Sequence, residues 1–362
     1  MDFTLDEEQS AIAELAGKIL GDLCTPERLR AHELSGDPVL QRAWTELAAA
    51  DLLGIALPEA TGGGGYGILE ATLVAEQVGR HVAPVPYVET MAAALALART
   101  DADAGTDEHA ERLRTVATGT TILTVALDGA VPVTARAEGD RWSVSGDVSF
   151  VRWAGQAALV LLPASSDDGS ISLFAVEPDA DGVAIDDEDA MWGLPQATLR
   201  LAGTPATRIG DAAAADAMRR EATALQCAVV AGVCEGALRT TAAYVTEREQ
   251  FGTKIGTFQA VGQRMADAYI DTQGVLLTAR QAAWRLAAGM PADEELHIAK
   301  WWAATGGHRV VHAAQHLHGG VGVDVDYAVH RYFRWAKVLE LQLGSGTEHL
   351  RQLGSLLAAT PV

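Results

Sequence analysis

The sequence is poor in cysteine and in basic residues, and both shortages narrow the classes of protein it can belong to. Its 362 residues include three cysteines, Cys24, Cys227 and Cys234, whose spacing fits neither a disulfide framework nor a metal site. Lys and Arg number 27 against 48 Asp and Glu, and the resulting net charge of -21 argues against nucleic-acid binding. An acidic surface still tolerates a local basic pocket for an anionic ligand.

Signals for export and for a membrane are also lacking. Residues 1–8 are acidic and have neither the basic start nor the apolar core of a signal peptide. No uninterrupted apolar run is long enough to span a bilayer. These features predict a cytoplasmic protein without membrane contact. The length allows two or three domains with a substantial core.

Hydrophobic periodicity divides the chain into three regions, which we predict to be domains over residues 1–115, 116–210 and 211–362. The first region has apolar residues at helical spacing, as at Leu5, Ile12, Leu15 and Ile19. Thr25 followed by Pro26 predicts a helix start there. The second has short strand-like runs separated by turns, at 121–127, 142–144, 157–162, 171–176 and 197–201. The third is helical again, over 217–246, 259–289, 293–317, 331–341 and 346–357. The predicted fold class is α+β and multidomain, with an N-terminal helical domain, a small middle β-barrel or sandwich domain and a C-terminal four-helix-type bundle.

The segment from Arg248 to Gln259 lies between two long helical patterns. Gly252 and Gly256 interrupt any helix through it, which predicts Arg248 at a helix end and Phe258 and Gln259 at the next helix start. A guanidinium at such a position can meet a pyrophosphate in a bidentate way. An ordinary helix–helix turn with a surface arginine is the alternative, and composition alone favours it.

This segment resembles the R-x-x-F-G-x-x-I-x-x-F-Q signature of the acyl-CoA dehydrogenase flavoprotein family and matches every fixed position. The resemblance implies FAD as the cofactor. It also implies that Arg248, Phe251, Phe258 and Gln259 bind FAD held by a neighbouring subunit, with the arginine on the pyrophosphate. A chain of this kind requires a symmetric or pseudo-symmetric neighbour.

A second segment, His316 to Gly322, resembles the family's Q-x-x-G-G-x-G motif. By the glycine anchor, His316 stands where the family has glutamine. The resemblance implies that His316, Gly319 and Gly320 contribute to the adenine end of the FAD site, because glycines let the backbone approach closely.

The resemblance also implies a carboxylate base that removes the α-proton of an acyl-CoA thioester. By motif anchors, the usual base position is Ser345 or Leu343, and neither is a base. Glu340 lies nearby on a helix-like run that is expected to face solvent. Some members place the base on the preceding helix, where Glu221 is one residue from the expected site, Ala222. A solvated carboxylate at a helix start is the favoured alternative for Glu221.

The middle region departs from the family at two flavin-contacting motifs. Residues 125–134 are shorter than the family's T-E-P-x-x-G-S-D loop and do not match it. The run at 150–153 places Arg152 where the family has a hydroxyl against flavin. An arginine there is expected to crowd the ring site, so binding of flavin in cis is predicted to be impaired.

His308, His312 and His316 recur every fourth residue and share one helix face, a spacing that can bind a metal. No carboxylate accompanies them at matching spacing, and glycines follow at once. We therefore predict no metal site here.

Three functional hypotheses follow, in order of preference. The first is a subunit for FAD-dependent α,β-dehydrogenation of an acyl-CoA thioester that completes a partner's FAD site without its own base, as in bacterial heterotetrameric relatives. The second is a self-sufficient homo-oligomeric dehydrogenase with Glu221 as a displaced base. The third is a non-enzymatic scaffold with the same fold. The expected partners are an acyl-CoA of fatty-acid or steroid side-chain β-oxidation, a homologous subunit in a homo- or heterotetramer, and electron-transfer flavoprotein as acceptor.

Overall fold

The order of helices, sheet and helices is the predicted one. The computed structural model describes residues 4–128, 133–139 and 141–359. The N-terminal helices are α1 (Glu7–Leu23), α2 (Pro26–Ser35), α3 (Gln41–Ala49), α4 (Ile68–Arg80), α5 (Tyr87–Ala104) and α6 (Ala110–Ala117). The C-terminal helices are α7 (Ala212–Glu247), α8 (Gln259–Ala287), α9 (Asp293–His318), α10 (Val329–Leu339) and α11 (Gly346–Ala359). The predicted fold class is confirmed.

The helix starts follow the local capping chemistry. The Asp6 side chain accepts a hydrogen bond from the Gln9 backbone, and the Gln9 side chain returns one, which forms a capping box before α1. Thr25 caps α2, and Pro26 occupies its first turn, as the sequence predicts. The expected apolar face of α1 is partly wrong, because Leu15 is 43% exposed. The buried face of α1 is formed instead by Ile12, Ala16, Leu20 and Leu23.

The middle strands form a closed, barrel-like sheet. The strands are β1 (Leu123–Val125), β2 (Thr134–Glu138), β3 (Arg141–Arg152), β4 (Leu159–Ser166), β5 (Ile171–Val176), β6 (Val183–Asp187) and β7 (Gln196–Asp211). The order β4-β2-β3-β7-β5 closes because β5 also pairs with β4. β1 joins β4 in parallel, and β6 joins β7. The sequence patterns did not predict β2 and β6.

The barrel core is apolar and mostly aliphatic. It includes Val144, Val160, Leu162, Phe174 and Leu199, each with no measurable exposure. β3 bends at two register shifts, between Val144 and Gly146 and between Val148 and Val151. The second bend lies just before Arg152, at the end of the strand, and so sets the position of that side chain.

The chain divides into two compact units by its internal contacts. One contains the chain up to Gly36, Thr72–Ala83 and the chain from Thr223 onward; the other contains Asp37–Ala71 and Pro84–Ala222. The predicted domain boundaries at 115 and 210 stay a prediction.

α7 is the longest apolar helix of the described chain. By length and composition alone it could cross a membrane, but 89% of its most apolar window is buried within the protein. Glycines in α7 let the neighbouring backbone approach closely. A Cβ on Gly232 would lie 1.8 Å from the Glu76 carbonyl oxygen, and a Cβ on Gly236 would lie 2.5 Å from the Arg80 carbonyl oxygen. These contacts favour a buried core helix.

Candidate functional site

The segment after α7 folds into a small hairpin, which we call the arm (residues 248–258). α7 ends at Glu247 and α8 begins at Gln259, so Arg248 and Phe258 stand at the predicted helix ends. Two short strands, β8 (Glu249–Gln250) and β9 (Thr253–Lys254), pair antiparallel. The backbone N–H of Ile255 donates to the Arg248 carbonyl at 2.9 Å and closes the arm at its base.

The turn of the hairpin presents a phenyl ring to solvent. Phe251 and Gly252 have φ values of 58° and 80°, so both adopt the left-handed conformation of a two-residue hairpin turn. Phe251 is 92% exposed and contacts Phe258 edge-on at 6.3 Å between ring centroids. A non-glycine residue held left-handed costs about 1 kcal/mol or more, and such strain persists where the surrounding structure fixes it. The arm therefore projects an aromatic group that its own compact unit does not cover.

The guanidinium of Arg248 is available for an anionic ligand. Arg248 is exposed, and none of the described residues forms an ion pair or a side-chain hydrogen bond with its guanidinium. Lys254, by contrast, is engaged by Glu249 at 3.1 Å and by the Glu247 carbonyl at 2.9 Å. Gln259 is also exposed, at the first position of α8.

The glycine motif follows directly after α9. Gly319 has φ 59° and ψ -137°, a conformation that is essentially restricted to glycine. A Cβ on Gly319 or Gly320 would meet no atom within 4 Å, so the backbone there is open to a ligand. His316 is exposed one turn earlier.

Three aromatic rings join the two predicted halves of the cofactor site, and sequence reasoning missed this arrangement. Tyr244, one turn before Arg248, stacks on His318, the residue before Gly319, with 4.4 Å between ring centroids and 23° between planes. Tyr327 contacts both rings, at 6.3 Å and 5.3 Å. The end of α7 and the end of α9 therefore lie side by side. The signal that the sequence offers for this arrangement is the presence of aromatic residues next to both motifs.

Neither residue at the usual base position can act as a base. The Leu343 carbonyl accepts a hydrogen bond from His349 Nε2 at 2.8 Å, and Leu343 itself is left-handed at φ 56°. The Ser345 hydroxyl accepts the Glu348 backbone N–H at 3.3 Å, at the start of α11. Both residues therefore serve the geometry of a turn.

Glu340 is half-buried and paired, so the expectation that it faces solvent is wrong. Its carboxylate lies 2.6 Å from Lys337 Nζ and 3.1 Å from His308 Nδ1. Although burial raises the pKa of Glu340, Lys337 and His308 outweigh it and hold the pKa below its ordinary value. Glu340 therefore stays ionised in an ion-pair cluster.

Glu221 is also buried and paired. Its side chain is 12% exposed and forms a salt bridge with Arg99 of α5. Burial raises the pKa of Glu221 to about 7, and the opposing attraction of Arg99 does not offset it. The favoured interpretation of Glu221 as a solvated carboxylate at a helix start does not hold, because the side chain is largely buried. Its predicted role as a base stays a prediction.

A second buried pair stands at the end of β3, at the position that the resemblance assigns to a flavin-contacting hydroxyl. Arg152 forms a salt bridge with Glu89 of α5, and the two side chains are 13% and 4% exposed. The same guanidinium lies 5.1 Å over the Trp192 ring, a cation–π contact. The neighbouring loop prediction falls partly on residues 129–132, which lie outside the described residues.

The histidines of α9 do not assemble a metal site among the described residues. His308 and His312 stack at 4.1 Å, and His312 contacts Phe333 at 4.9 Å between ring centroids. Lys337 Nζ lies 3.1 Å from His308 Nδ1. The lysine therefore places a positive charge where a metal site would need a second ligand. His316 makes no ring contact with this pair.

A cavity of about 980 Å³ lies elsewhere, against the barrel and the residues around the start of α6. Trp142, Arg141 and Arg208 are among its lining residues, and no predicted cofactor-binding residue is. The predicted site is therefore an open surface and not this cavity.

The described residues fit one part of an FAD site. A free guanidinium suits a pyrophosphate, and open glycine backbone beside it suits close approach of a nucleotide. Both features are exposed on one compact unit and lie side by side through Tyr244 and His318. Arg152, which the sequence analysis expects to crowd the ring site, is engaged in a buried pair with Glu89.

Comparison with known proteins places these features in a family. Residues 6–120 match the N-terminal domain of acyl-CoA dehydrogenases, and residues 211–356 match their C-terminal domain. The chain is 40% identical to acyl-CoA dehydrogenase FadE27 of Mycobacterium tuberculosis (strain ATCC 25618 / H37Rv) over 100% of both chains.

Two solved structures are similar over nearly their whole length. A chain of the ChsE4-ChsE5 complex from Mycobacterium tuberculosis has a TM-score of 0.95 and 40% identity, with 100% of both chains covered. A chain of a variant of the Tcur3481-Tcur3483 steroid ACAD has a TM-score of 0.92 and 42% identity, with 98% of this chain and 99% of that chain covered. The chain therefore belongs to the acyl-CoA dehydrogenase family, whose members are oxidoreductases with FAD as cofactor.

Proposed function

We propose that this chain is the subunit of a hetero-oligomeric acyl-CoA dehydrogenase that completes the FAD site of a homologous partner and supplies no catalytic base. The exposed arm carries the proposal. Among the described residues, Arg248 is exposed and its guanidinium is free, while Phe251 is 92% exposed and has only an edge contact with Phe258. Residues kept in a strained, uncovered arrangement are suited to a site on another chain.

The positions where a base would stand support the same role. Leu343 and Ser345 carry no carboxylate, and Glu340 is held ionised by Lys337 and His308. The remaining carboxylate, Glu221, is bound by Arg99. A base must be free to accept the α-proton, and both carboxylates are engaged by a cation.

Arg152 supports the loss of flavin binding in cis. A buried ion pair is costly to break, since removal of one partner leaves an uncompensated charge. An incoming flavin ring would have to displace the Arg152 guanidinium from Glu89 and from Trp192. The chain is therefore suited to giving residues to a neighbour's cofactor and not to holding its own ring.

In the assembled site, FAD would accept the hydride that leaves the β-carbon of the acyl-CoA. This chain's residues would bind and shield it. The Arg248 guanidinium would neutralise the pyrophosphate, the Gly319–Gly320 backbone would approach the adenine end, and Phe251 would exclude water. His316 and Gln259 would add polar contacts. The partner's carboxylate would take the α-proton.

The relatives favour a two-chain enzyme acting on a steroid acyl-CoA. One similar structure is named as the ChsE4-ChsE5 complex and another as a Tcur3481-Tcur3483 steroid ACAD. By analogy, we propose a homologous partner chain for this protein, a CoA thioester of a steroid side chain as substrate, electron-transfer flavoprotein as acceptor, and a cytoplasmic location.

Arg248→Ala tests this role in the chain co-expressed with a homologous subunit encoded beside it. Charge-assisted bonds to pyrophosphate contribute about 1.5–3 kcal/mol, so FAD affinity should fall roughly 10- to 100-fold. Arg239→Ala is the matched control, because Arg239 is also exposed on α7 but is paired with Glu235 at 2.7 Å. Flavin per complex is read from the visible spectrum. Unchanged flavin in Arg248→Ala would sink the trans-binding role.

One observation favours the self-sufficient alternative: the raised pKa of about 7 at Glu221 is in the range of a working base. Glu221→Gln separates the two. Intact turnover supports the base-lacking role, whereas a collapse of turnover with FAD retained supports Glu221 as base. A stoichiometric flavin band in the chain expressed alone would also support self-sufficiency. A scaffold would bind no flavin in either preparation.

A further inference from the structure

We infer that the ring cluster of Tyr244, His318 and Tyr327 is the positioning element that fixes Arg248 relative to the Gly319–Gly320 turn. This inference rests on the proposed role of the arm. It assigns a function to three residues that do not need to touch the cofactor themselves.

Tyr244 controls where Arg248 begins. The Arg248 backbone N–H donates to the Tyr244 carbonyl at 2.9 Å, the last helical hydrogen bond of this turn. The arm then closes on the Arg248 carbonyl from the other side, through Ile255. Any rotation of the α7 end that breaks the Tyr244 stack would therefore move the guanidinium.

His318 controls where the glycine turn begins. Its ring is 3% exposed, and its Nδ1–H donates to the Ala314 carbonyl at 2.9 Å. The Gly319 backbone N–H donates to the His316 carbonyl, so the turn starts directly from this anchored residue. The stack with Tyr244 then sets the spacing between the α7 end and the turn.

The imidazole is held in its neutral form. With Nδ1 donating to Ala314, the neutral ring carries a lone pair on Nε2, which is buried and has no hydrogen-bond partner among the described atoms. Burial lowers the pKa of His318 below 6.5, and the bond to Ala314 opposes this only in part. A proton on Nε2 would place an unpaired donor and a charge in the cluster.

Within the described part of the chain, two titratable side chains contact the His318 ring. Tyr244 faces it from α7, and Tyr327 faces it from the segment before α10. Burial, Tyr244 and Glu247 together raise the pKa of Tyr327, so the Tyr327 hydroxyl stays neutral in the range where histidine titrates. The pH response of the cluster is therefore expected to come from His318.

The first test compares Tyr244→Leu with Tyr244→Phe in the assembled complex. Tyr244→Leu removes the ring stack, and we expect FAD to bind about tenfold more weakly. Tyr244→Phe keeps the stack and should bind FAD as the wild type does. Equal affinity of the Leu variant and the wild type would overturn the inference, provided that Arg248→Ala has lost FAD in the same preparation. Retention of FAD by Arg248→Ala would instead count against the proposed function.

A second test needs no partner. Amide hydrogen exchange of residues 249–254 and 319–323 in the isolated chain should be faster in Tyr244→Leu than in Tyr244→Phe. Equal exchange in the two variants would overturn the positioning role whatever the partner does.

The pH profile of FAD retention separates positioning by a neutral imidazole from simple packing. The wild-type complex should lose FAD only at a pH well below 6.5, because burial lowers the pKa of His318 under that ordinary value. His318→Phe keeps a ring in the stack and has no proton to gain, so this component of the profile should vanish. Identical profiles for the wild type and His318→Phe would overturn the role of the imidazole.

Discussion

Glu221→Gln should change how the free energy of unfolding depends on pH. Burial raises the pKa of Glu221 from 4.5 to about 7 in the folded protein. Between these values the folded state binds more protons than the unfolded state, so this group loses its stabilising contribution as the pH rises through the window. One pKa unit is worth about 1.4 kcal/mol, so the full shift is worth roughly 3 kcal/mol. Most of it, roughly 2–3 kcal/mol, falls between pH 5 and pH 8.

Urea unfolding followed by circular dichroism at several pH values measures this directly. The free energy of unfolding of the wild type minus that of Glu221→Gln should decrease by roughly 2–3 kcal/mol from pH 5 to pH 8. Glu111→Gln is the control, because Glu111 is 81% exposed and its pair with Arg114 is a surface contact of 3.0 Å. A constant difference between the wild type and Glu221→Gln would refute the assignment of Glu221 as a desolvated acid.

Three further outcomes are expected. Arg152→Met should destabilise the fold by about 3–5 kcal/mol, because it leaves the Glu89 carboxylate buried and unpaired. The double variant with Glu89→Met should recover most of this loss, and the midpoint of urea unfolding measures both variants. Gly232→Ala should lower the melting temperature sharply or prevent folding, because its Cβ would lie 1.8 Å from the Glu76 carbonyl; Gly262→Ala, with no atom within 4 Å, should melt like the wild type. The three cysteines, all buried and with thiol pKa raised to about 12, should not react with a thiol reagent at pH 8 until the protein unfolds, so prompt labelling would contradict their burial.

The long helices could be predicted from the sequence because their signals are local. Helical periodicity and the glycines of the arm predicted the last residue of α7, Glu247, and the first residue of α8, Gln259, to within one residue. β2 and β6 gave no such signal. Thr134–Glu138 buries little more than Ala135, and Val183–Asp187 is acidic and largely open, so neither has the apolar alternation that marks a half-buried strand.

The cofactor-binding residues were predicted from sequence motifs, and their role in binding FAD stays a prediction. Their environment could not be predicted, because it depends on contacts between distant segments. Arg99 and Glu221 are 122 residues apart, and nothing local to Glu221 distinguishes a solvated carboxylate from a buried one. The stack of Tyr244 on His318 is likewise a long-range contact, visible only once the ends of α7 and α9 lie together.

The uncovered phenyl ring of Phe251 has a consequence for the lifetime of the chain in the cell. If the proposed assembly covers Phe251, a newly made copy without its partner displays this ring at the tip of a hairpin, next to Phe258. Exposed apolar groups of this kind are targets for chaperones and proteases, so surplus copies should be removed and abundance should follow the supply of partner. In a pulse-chase experiment, expression of the partner should lengthen the half-life of this chain, and Phe251→Ser should lengthen it without the partner. Equal half-lives in all three cases would show that assembly does not govern its turnover.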